Sequence, residues 1–489
     1  MSRVAWVVTV AALLAPSVAL ADPPFSMRMR PDPALMDPRV TDFGSPAVRE
    51  PVPEGVAHAA VSNIIYLNRC TGGCRITKSG FPSNSVNNNT YIGGDIPIGS
   101  QFMISEFAFP QAVWDEFVQC MREVYAPYNV VITTDDPSPT PHHEAVVAGN
   151  TQEWGLPDGV LGQGEGGGNQ CTPRDNAISI NIANDHTGFA GLTVADNLCW
   201  TVAQETAHTW GLDHAFDCTD SMTYIPTCGR KYFRNLDLPC GENVERPCNC
   251  GGNTQNSHAK ILGVFGAGTG PQLVPTLTID APQDGAAFPA GASIFATANS
   301  KRGLNHIEVL VNGWKWVDRP ATTNSTYQIA LPAEVPDGVM DLMVRACDDI
   351  GVCAEDMITV TRGAACTTAD TCALGQRCDG GRCLWDAPTL EVGATCEFPQ
   401  ACLSLTCEDV NGGLICTEEC QGGPNDRCPA GFECGAAVGE PGLCVPEGGS
   451  EETGCCSVNG GGGRAVAFQL GLGAVVGLIA VRRRRRKKA

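Results

Sequence analysis

Twenty-six cysteines constrain what this 489-residue chain can become. An oxidising compartment lets cysteines pair, and the even count suits pairing, although spacing alone does not give the connectivity. The start of the chain agrees with export. Arg3 supplies a positive charge, residues 4–14 an apolar core, and Ala19-Leu20-Ala21 a small-x-small cleavage site before Asp22. Residues 1–21 therefore read as a signal peptide. The formal charge is −21, and the terminal run 482–488 contributes +7, which leaves about −28 on the remainder. Such an acidic body argues against nucleic acid as a partner and suits a soluble extracellular surface.

The length allows two to four domains. Residues 22–55 are rich in proline and charge and lack periodicity, so they read as an extended N-terminal segment or a pro-segment. A globular pattern begins at residue 56. NIIYL (63–67), NVVITT (129–134), EAVVA (144–148) and AISINI (177–182) read as strands. Pro110 opens a helix whose buried face is Val113, Phe117, Cys120, Met121 and Val124, and Pro127 ends it. A second helix is expected over 196–210 and a short one within 254–265. The glycine-rich stretch 161–169 lacks the Gly-Lys-Ser/Thr ending of a phosphate loop and reads as a flexible surface segment. His142 and His143 read as a solvated loop pair.

The stretch 204–224, QETAHTWGLDHAFDCTDSMTY, carries the chemistry. Helical positions i and i+4 share a face, so Gln204 and His208 point to one spot, with Glu205 beside them. Gly211 lets the chain leave the helix, and His214 can then turn back toward His208. Glu205, His208, Gly211, His214 and Met222 together resemble the signature of the metzincin zinc peptidases, His-Glu-x-x-His-x-x-Gly-x-x-His followed by a methionine turn, with Gln204 in place of the first histidine. The resemblance covers residues 56–270. It implies an α+β catalytic domain in which a twisted sheet is backed by one helix and the motif helix lies beneath. It implies one catalytic zinc held by His208, His214 and a third group, with Glu205 as general base toward an attacking water, Tyr224 stabilising the oxyanion and Met222 flooring the site. An amide is a poorer donor than imidazole for zinc, so three readings stand. Gln204 is the third ligand, or Asp217 or His186 replaces it, or the domain is a pseudo-peptidase. Cys218, Cys228, Cys240, Cys248 and Cys250 surround the motif and read as disulfides rather than as a second metal site.

Beyond a Gly/Pro linker, residues 276–362 change to short alternating strands separated by turn residues. This resembles a bacterial immunoglobulin-like sandwich, with Cys347 and Cys353 closing a small loop. Residues 366–444 hold twelve cysteines and few large apolar side chains, so disulfides must constrain them, as a four-cysteine unit (366–383) and an eight-cysteine unit (396–444). A spacer (447–464) contains Cys455-Cys456. Residues 465–481 form an apolar stretch long enough for a transmembrane helix, and the tail 465–489 ends in the basic cluster. Gly-Cys, a short helix and an arginine cluster resemble the myxobacterial C-terminal sorting tail (MYXO-CTERM). That resemblance implies processing near Cys455, membrane contact through the tail, and display on the cell surface or release.

The expected molecule is a multidomain exported zinc metallopeptidase. Its order is a metzincin-like domain, an all-β Ig-like sandwich, a disulfide-rich module and a C-terminal transmembrane helix, and its partner is a protein or peptide substrate. The competing reading is a catalytically inactive surface adhesion or interaction protein.

Overall fold

A computed structural model describes residues 61–165, 171–189, 191–410, 412–423, 428–437 and 440–447. The signal peptide, the segment 22–55, Cys455 and the C-terminal helix with its basic tail lie outside the described residues. No helix among the described residues is long and apolar enough to cross a membrane. The chain is β-rich and multidomain, with few helices and many disulfides, and its contacts divide it into two units, Met1–Leu384 and Trp385–Ala489. That division falls inside the 366–444 segment.

The first unit begins with β1 (Ile64–Asn68), β2 (Cys74–Lys78), β3 (Asn89–Thr90), β4 (Gln101–Ile104), α1 (Gln111–Tyr125), β5 (Val131–Thr133), β6 (His143–Val147), β7 (Gly162–Gln163), β8 (Ile178–Asn181) and α2 (Val194–His208). Five of these strands form one sheet in the order β5-β1-β6-β8-β7. All its pairings are parallel except β7, which runs antiparallel to β8 at the edge. Such a sheet must be covered on both faces, and the apolar residues of its inner strands divide accordingly. Ile65, Leu67, Ala145 and Val147 pack with the helices, against Phe117, Met121, Val124, Leu198, Val202 and Ala203. Val146, Ile178 and Ile180 face the other way, against Ile76 and Ile104 of the small β3-β2-β4 sheet and against Trp154. That second sheet, built from strands of 5, 2 and 4 residues, has no clear periodic signal in the sequence.

Helix α1 starts at Pro110 and buries Trp114, Phe117, Val118, Met121, Val124 and Tyr125 at helical spacing. Helix α2 starts at a capping box: Thr193 Oγ1 accepts from Asp196 N–H at 3.1 Å, and the Asp196 carboxylate accepts from Thr193 N–H at 3.2 Å. From Asn197 to His208 every α2 residue is buried, so the helix has no wet face over its last three turns. The disulfide Cys120–Cys199 ties α1 to α2.

After β9 (Leu238–Pro239), β10 (Thr254–Gln255) and α3 (Ser257–Phe265), the seven strands from β11 (Thr276–Ala281) to β17 (Cys353–Arg362) make an Ig-like sandwich. Its antiparallel sheets are β11-β12-β15 and β14-β13-β16-β17, where β12 is Ser293–Asn299, β13 His306–Val311, β14 Trp314–Pro320, β15 Ser325–Ala330 and β16 Gly338–Cys347. Ile307, Val309, Val311, Leu342, Val344 and Ala346 share its core, and Cys347–Cys353 closes the β16–β17 turn. The sandwich is joined to the sheet domain by buried charge. Arg302 donates to Asp349 Oδ1 at 2.7 Å and to Phe233 O, and Asn235 N–H donates to Asp349 Oδ2 at 2.7 Å.

The cysteine-rich segment contains three four-cysteine units with one connectivity, first to third and second to fourth. The pairs are Cys366–Cys378 with Cys372–Cys383, Cys396–Cys407 with Cys402–Cys416, and Cys420–Cys434 with Cys428–Cys444. The expected eight-cysteine unit is thus two successive fours. The 366–383 unit packs on the sandwich, where Arg382 pairs with Asp341 at 3.0 Å and Val339 N–H donates to Gly381 O at 3.0 Å.

Candidate metal centre

The site forms where α2 ends. Gln204, Glu205 and His208 lie on its last turn, 4 %, 9 % and 3 % exposed. Helix α2 ends at His208, and the turn that follows reaches Gly211, whose φ of +85° lies in the left-handed region that other residues avoid. The reversal brings Leu212 O back to accept from His208 Nδ1 at 2.8 Å. A carbonyl can only accept, so Nδ1 carries the proton and Nε2 keeps its lone pair. Burial, then the neighbouring His214, pushes the His208 pKa down to about 3, so the ring stays neutral and able to ligate a cation.

His214 sits on the loop beyond. Its ring packs edge-on to His208 with centroids 4.6 Å apart, and against Tyr224 at 4.4 Å. Its Nδ1 lies 2.7 Å from Glu242 Oε1, which fixes its proton on Nδ1 by the same logic. Glu242 also accepts from Arg246 Nη2 at 2.5 Å, and Arg246 makes two 2.7 Å bonds to Asp213. Burial works to raise the Glu242 pKa, but the bonds from His214 and Arg246 outweigh it and hold the carboxyl well below its ordinary range. Met222 is fully buried in the apolar cluster of Ala207, Leu212 and Ala215, and its carbonyl accepts from Ala215 N–H at 3.0 Å.

Glu205 is packed against strand β7. A Cβ added to Gly162 would lie 2.6 Å from Glu205 Cγ, and one added to Gly164 would lie 2.3 Å from Glu205 O and 2.9 Å from His208 Cβ. Alternate strand residues share a face, so these two glycines open the space that α2 fills. Residues 161–165 of the stretch expected to be a flexible surface segment instead bury Leu161, Gln163 and Glu165, and 166–169 lie outside the described residues. The period-two glycines at 162 and 164 were the signal for it. Burial raises the Glu205 pKa to about 8 against a hydrogen bond from Gly164 N–H, so without a nearby cation the carboxyl is held neutral near pH 7. Burial and the charges of Glu205 and Glu242 push the Tyr224 hydroxyl pKa up, keeping it a donor.

The other candidates do not enter the site. His186 spends both ring nitrogens, Nδ1 on Ile182 O at 2.9 Å and Nε2 on Thr201 Oγ1 at 3.0 Å. Asp217 Oδ1 accepts from Thr219 N–H at 2.8 Å and caps a local turn. His142 and His143 are buried rather than solvated, and His143 lies between Ser179 Oγ at 3.2 Å and Thr209 Oγ1 at 3.3 Å. The motif cysteines pair as Cys218–Cys228, Cys240–Cys248 and Cys171–Cys250, which leaves none of them to hold a second metal. Glu242 was missed, because an acidic residue inside a short disulfide loop has no distinguishing sequence pattern.

The donor set fits a borderline-soft divalent cation. Two imidazoles have their Nδ1 atoms engaged and their Nε2 atoms available. Gln204 Nε2 is buried without a hydrogen-bond partner. Rotating that amide by half a turn puts its oxygen in the same place, and oxygen is the end a cation takes.

No family model matches the chain, and no curated protein matches it. Solved structures similar to part of it include the fibronectin(III)-like modules of Clostridium thermocellum CbhA (20 % identity, 18 % of this chain and 47 % of that one, TM-score 0.16). Others are the endo-beta-1,4-mannanase of Thermotoga petrophila (11 % identity, 35 % and 34 %, TM-score 0.16) and a beta-glucuronidase of Bacteroides uniformis (16 % identity, 30 % and 18 %, TM-score 0.14). The chain spans less than half the length of each, and likenesses this slight carry no argument about its fold or function.

Proposed function

We propose that the chain is an exported, metzincin-like zinc metallopeptidase that hydrolyses a protein or peptide and is displayed at the cell surface, or released, through a MYXO-CTERM-type tail. The observation that carries this reading is the pair of imidazoles, buried His208 and partly buried His214, with Nδ1 protonated on both and ring centroids 4.6 Å apart, beside the buried Glu205 carboxyl. The sheet backed by α1, with the motif helix α2 packed beside it, supports it.

His208, His214 and the Gln204 amide oxygen would hold the ion. A zinc held there would supply Lewis acidity and lower the pKa of a water toward neutrality. Beside such a cation Glu205 would be ionised despite its burial. Glu205 then accepts the proton of the attacking water and returns it to the leaving amine. The Tyr224 hydroxyl, kept protonated, donates to the oxyanion. Met222 supplies an apolar floor that fixes the loop behind His214.

The test is metal content of the purified full-length chain under non-chelating conditions, followed by hydrolysis assays. One zinc per chain, lost in His208→Ala, with chelator-sensitive cleavage, is expected. No zinc at micromolar free metal would overturn the reading. The second reading, a pseudo-peptidase acting as a surface adhesion or interaction protein, is favoured by Gln204 standing where a stronger donor is wanted. Zinc-dependent turnover would exclude it.

A further inference from the structure

We propose that Glu242 is a positioning residue: it fixes the tautomer of His214, strengthens that ring as a metal donor, and so offsets the weak amide donor at Gln204. This rests on the reading of the site as a zinc centre. The two imidazoles are not equivalent. His208 Nδ1 donates to a neutral carbonyl, whereas His214 Nδ1 donates to a carboxylate at 2.7 Å. A carboxylate behind a ligating histidine both locks Nδ1–H and raises the electron density at Nε2, and its loss commonly weakens metal binding 10- to 100-fold. Neutral Gln204 supplies no comparable density, so the deficit on the helix side is met from the loop side.

The carboxylate is itself held from several directions. Arg246 reaches both Glu242 oxygens, Oε1 at 2.5 Å and Oε2 at 3.1 Å. Arg246 is anchored by two bonds to Asp213, which is 1 % exposed. Asp213 is fixed in turn by Asn249 N–H at 2.7 Å and by Gln255, which takes its N–H at 2.8 Å and donates to its carbonyl at 2.9 Å. The disulfide Cys240–Cys248 closes the loop that carries both Glu242 and Arg246. This connected set leads from the fold to one ring nitrogen. A surface ion pair of no consequence would have no need of so much support.

The test measures zinc affinity of the full chain by competition with a chromophoric chelator. It also measures the His214 tautomer in the zinc-free chain from imidazole nitrogen chemical shifts. Glu242→Gln is expected to bind zinc 10- to 100-fold more weakly with the zinc-free melting temperature little changed, and adding Gln204→His is expected to recover the affinity. The zinc-free wild type is expected to hold His214 as the Nδ1–H tautomer. Equal affinity in Glu242→Gln, with the wild type binding zinc, would overturn this inference and leave the metal site standing. An Nε2–H tautomer in the wild type would overturn it too. Failure of the wild type to bind zinc removes the metal site, and this role with it. If Glu242→Gln does not fold, Glu242→Asp keeps charge for Arg246 while withdrawing the carboxylate from Nδ1, and the same weakening is expected.

Discussion

The two sides of the candidate site are built by opposite means. The helix side, with Gln204, Glu205 and His208, is dry. It is held by apolar packing and by a glycine strand close enough to leave no room for a Cβ. The loop side, with His214 and Glu242, is charged and partly wet. It is held by an arginine shared between two carboxylates and by the short Cys240–Cys248 bridge. Burial orients the helix side but makes it a poor place for charge, as the raised pKa of Glu205 shows. The loop side keeps carboxylates ionised at the expense of needing more covalent and ionic support. Placing a cation between them would use both properties: neutral ligands from one side and negative charge from the other.

The largest expected effect breaks the helix side chemically while leaving its packing intact. Glu205→Gln should lower the hydrolysis rate by about 10²–10⁴-fold, with zinc content and melting temperature unchanged. Steady-state kinetics beside metal analysis checks this, and full activity in the variant would remove Glu205 from the mechanism. The corresponding cut on the loop side is covalent. Replacing Cys240 and Cys248 by serine should destabilise the loop by about 2–3 kcal/mol, the entropy of closing a short loop. Zinc affinity should fall with it, because Glu242 and Arg246 lose their frame. Calorimetry with and without zinc distinguishes this from a global loss of stability.

How much of this arrangement was legible in the sequence differs between the sides. Gln204, Glu205, His208 and Gly211 could be placed because helix periodicity and a left-handed glycine are local rules, and Gly211 does take a φ of +85°, whereas His214 and Met222 came from the resemblance to the metzincin spacing. Strands β1, β6 and β8 were legible as short apolar runs. Sheet order was not, since pairing of β1 with both β5 and β6 depends on contacts far apart in the chain. Glu242 and Arg246 were invisible for the same reason: Arg246 meets Asp213, 33 positions away, only after the fold brings them together. His143 misled because it is the first residue of its strand, beside His142 and one position before the EAVVA run begins, and its two hydroxyl partners lie at 179 and 209. The twelve cysteines were countable from sequence and grouped as four and eight, but the division of the eight into two fours and the connectivity common to all three units were not.

A smaller effect sharpens the comparison on the helix side through packing alone. Gly164→Ala should destabilise the sheet domain by about 1–3 kcal/mol, as overpacking does, because the new methyl meets the Glu205 carbonyl, which belongs to a buried helix and cannot swing aside. Zinc affinity should fall as well, since the same methyl presses on His208. A variant with normal melting and normal affinity would mean that β7 can lift away from α2 freely, and the helix side would then be less rigid than its burial implies.

The smallest expected effect separates stability of α2 from function of the site it carries. Thr193→Ala removes the side-chain half of the capping box, and with it the 3.1 Å bond accepted from Asp196 N–H. The expected loss is about 1 kcal/mol, typical of an N-cap. Asp196 keeps its ion pair with Arg230 at 2.7 Å, so the first turn does not come free entirely. Gln204, Glu205 and His208 lie three to four turns further on, where Glu205 meets Gly162 of β7 and His208 donates to Leu212 O. Thermal unfolding should therefore shift by a few degrees while zinc affinity and hydrolysis stay at wild-type values. A matching loss of zinc affinity would show that α2 moves as one rigid rod, and that the helix side owes its geometry to its far end rather than to the glycines beside it.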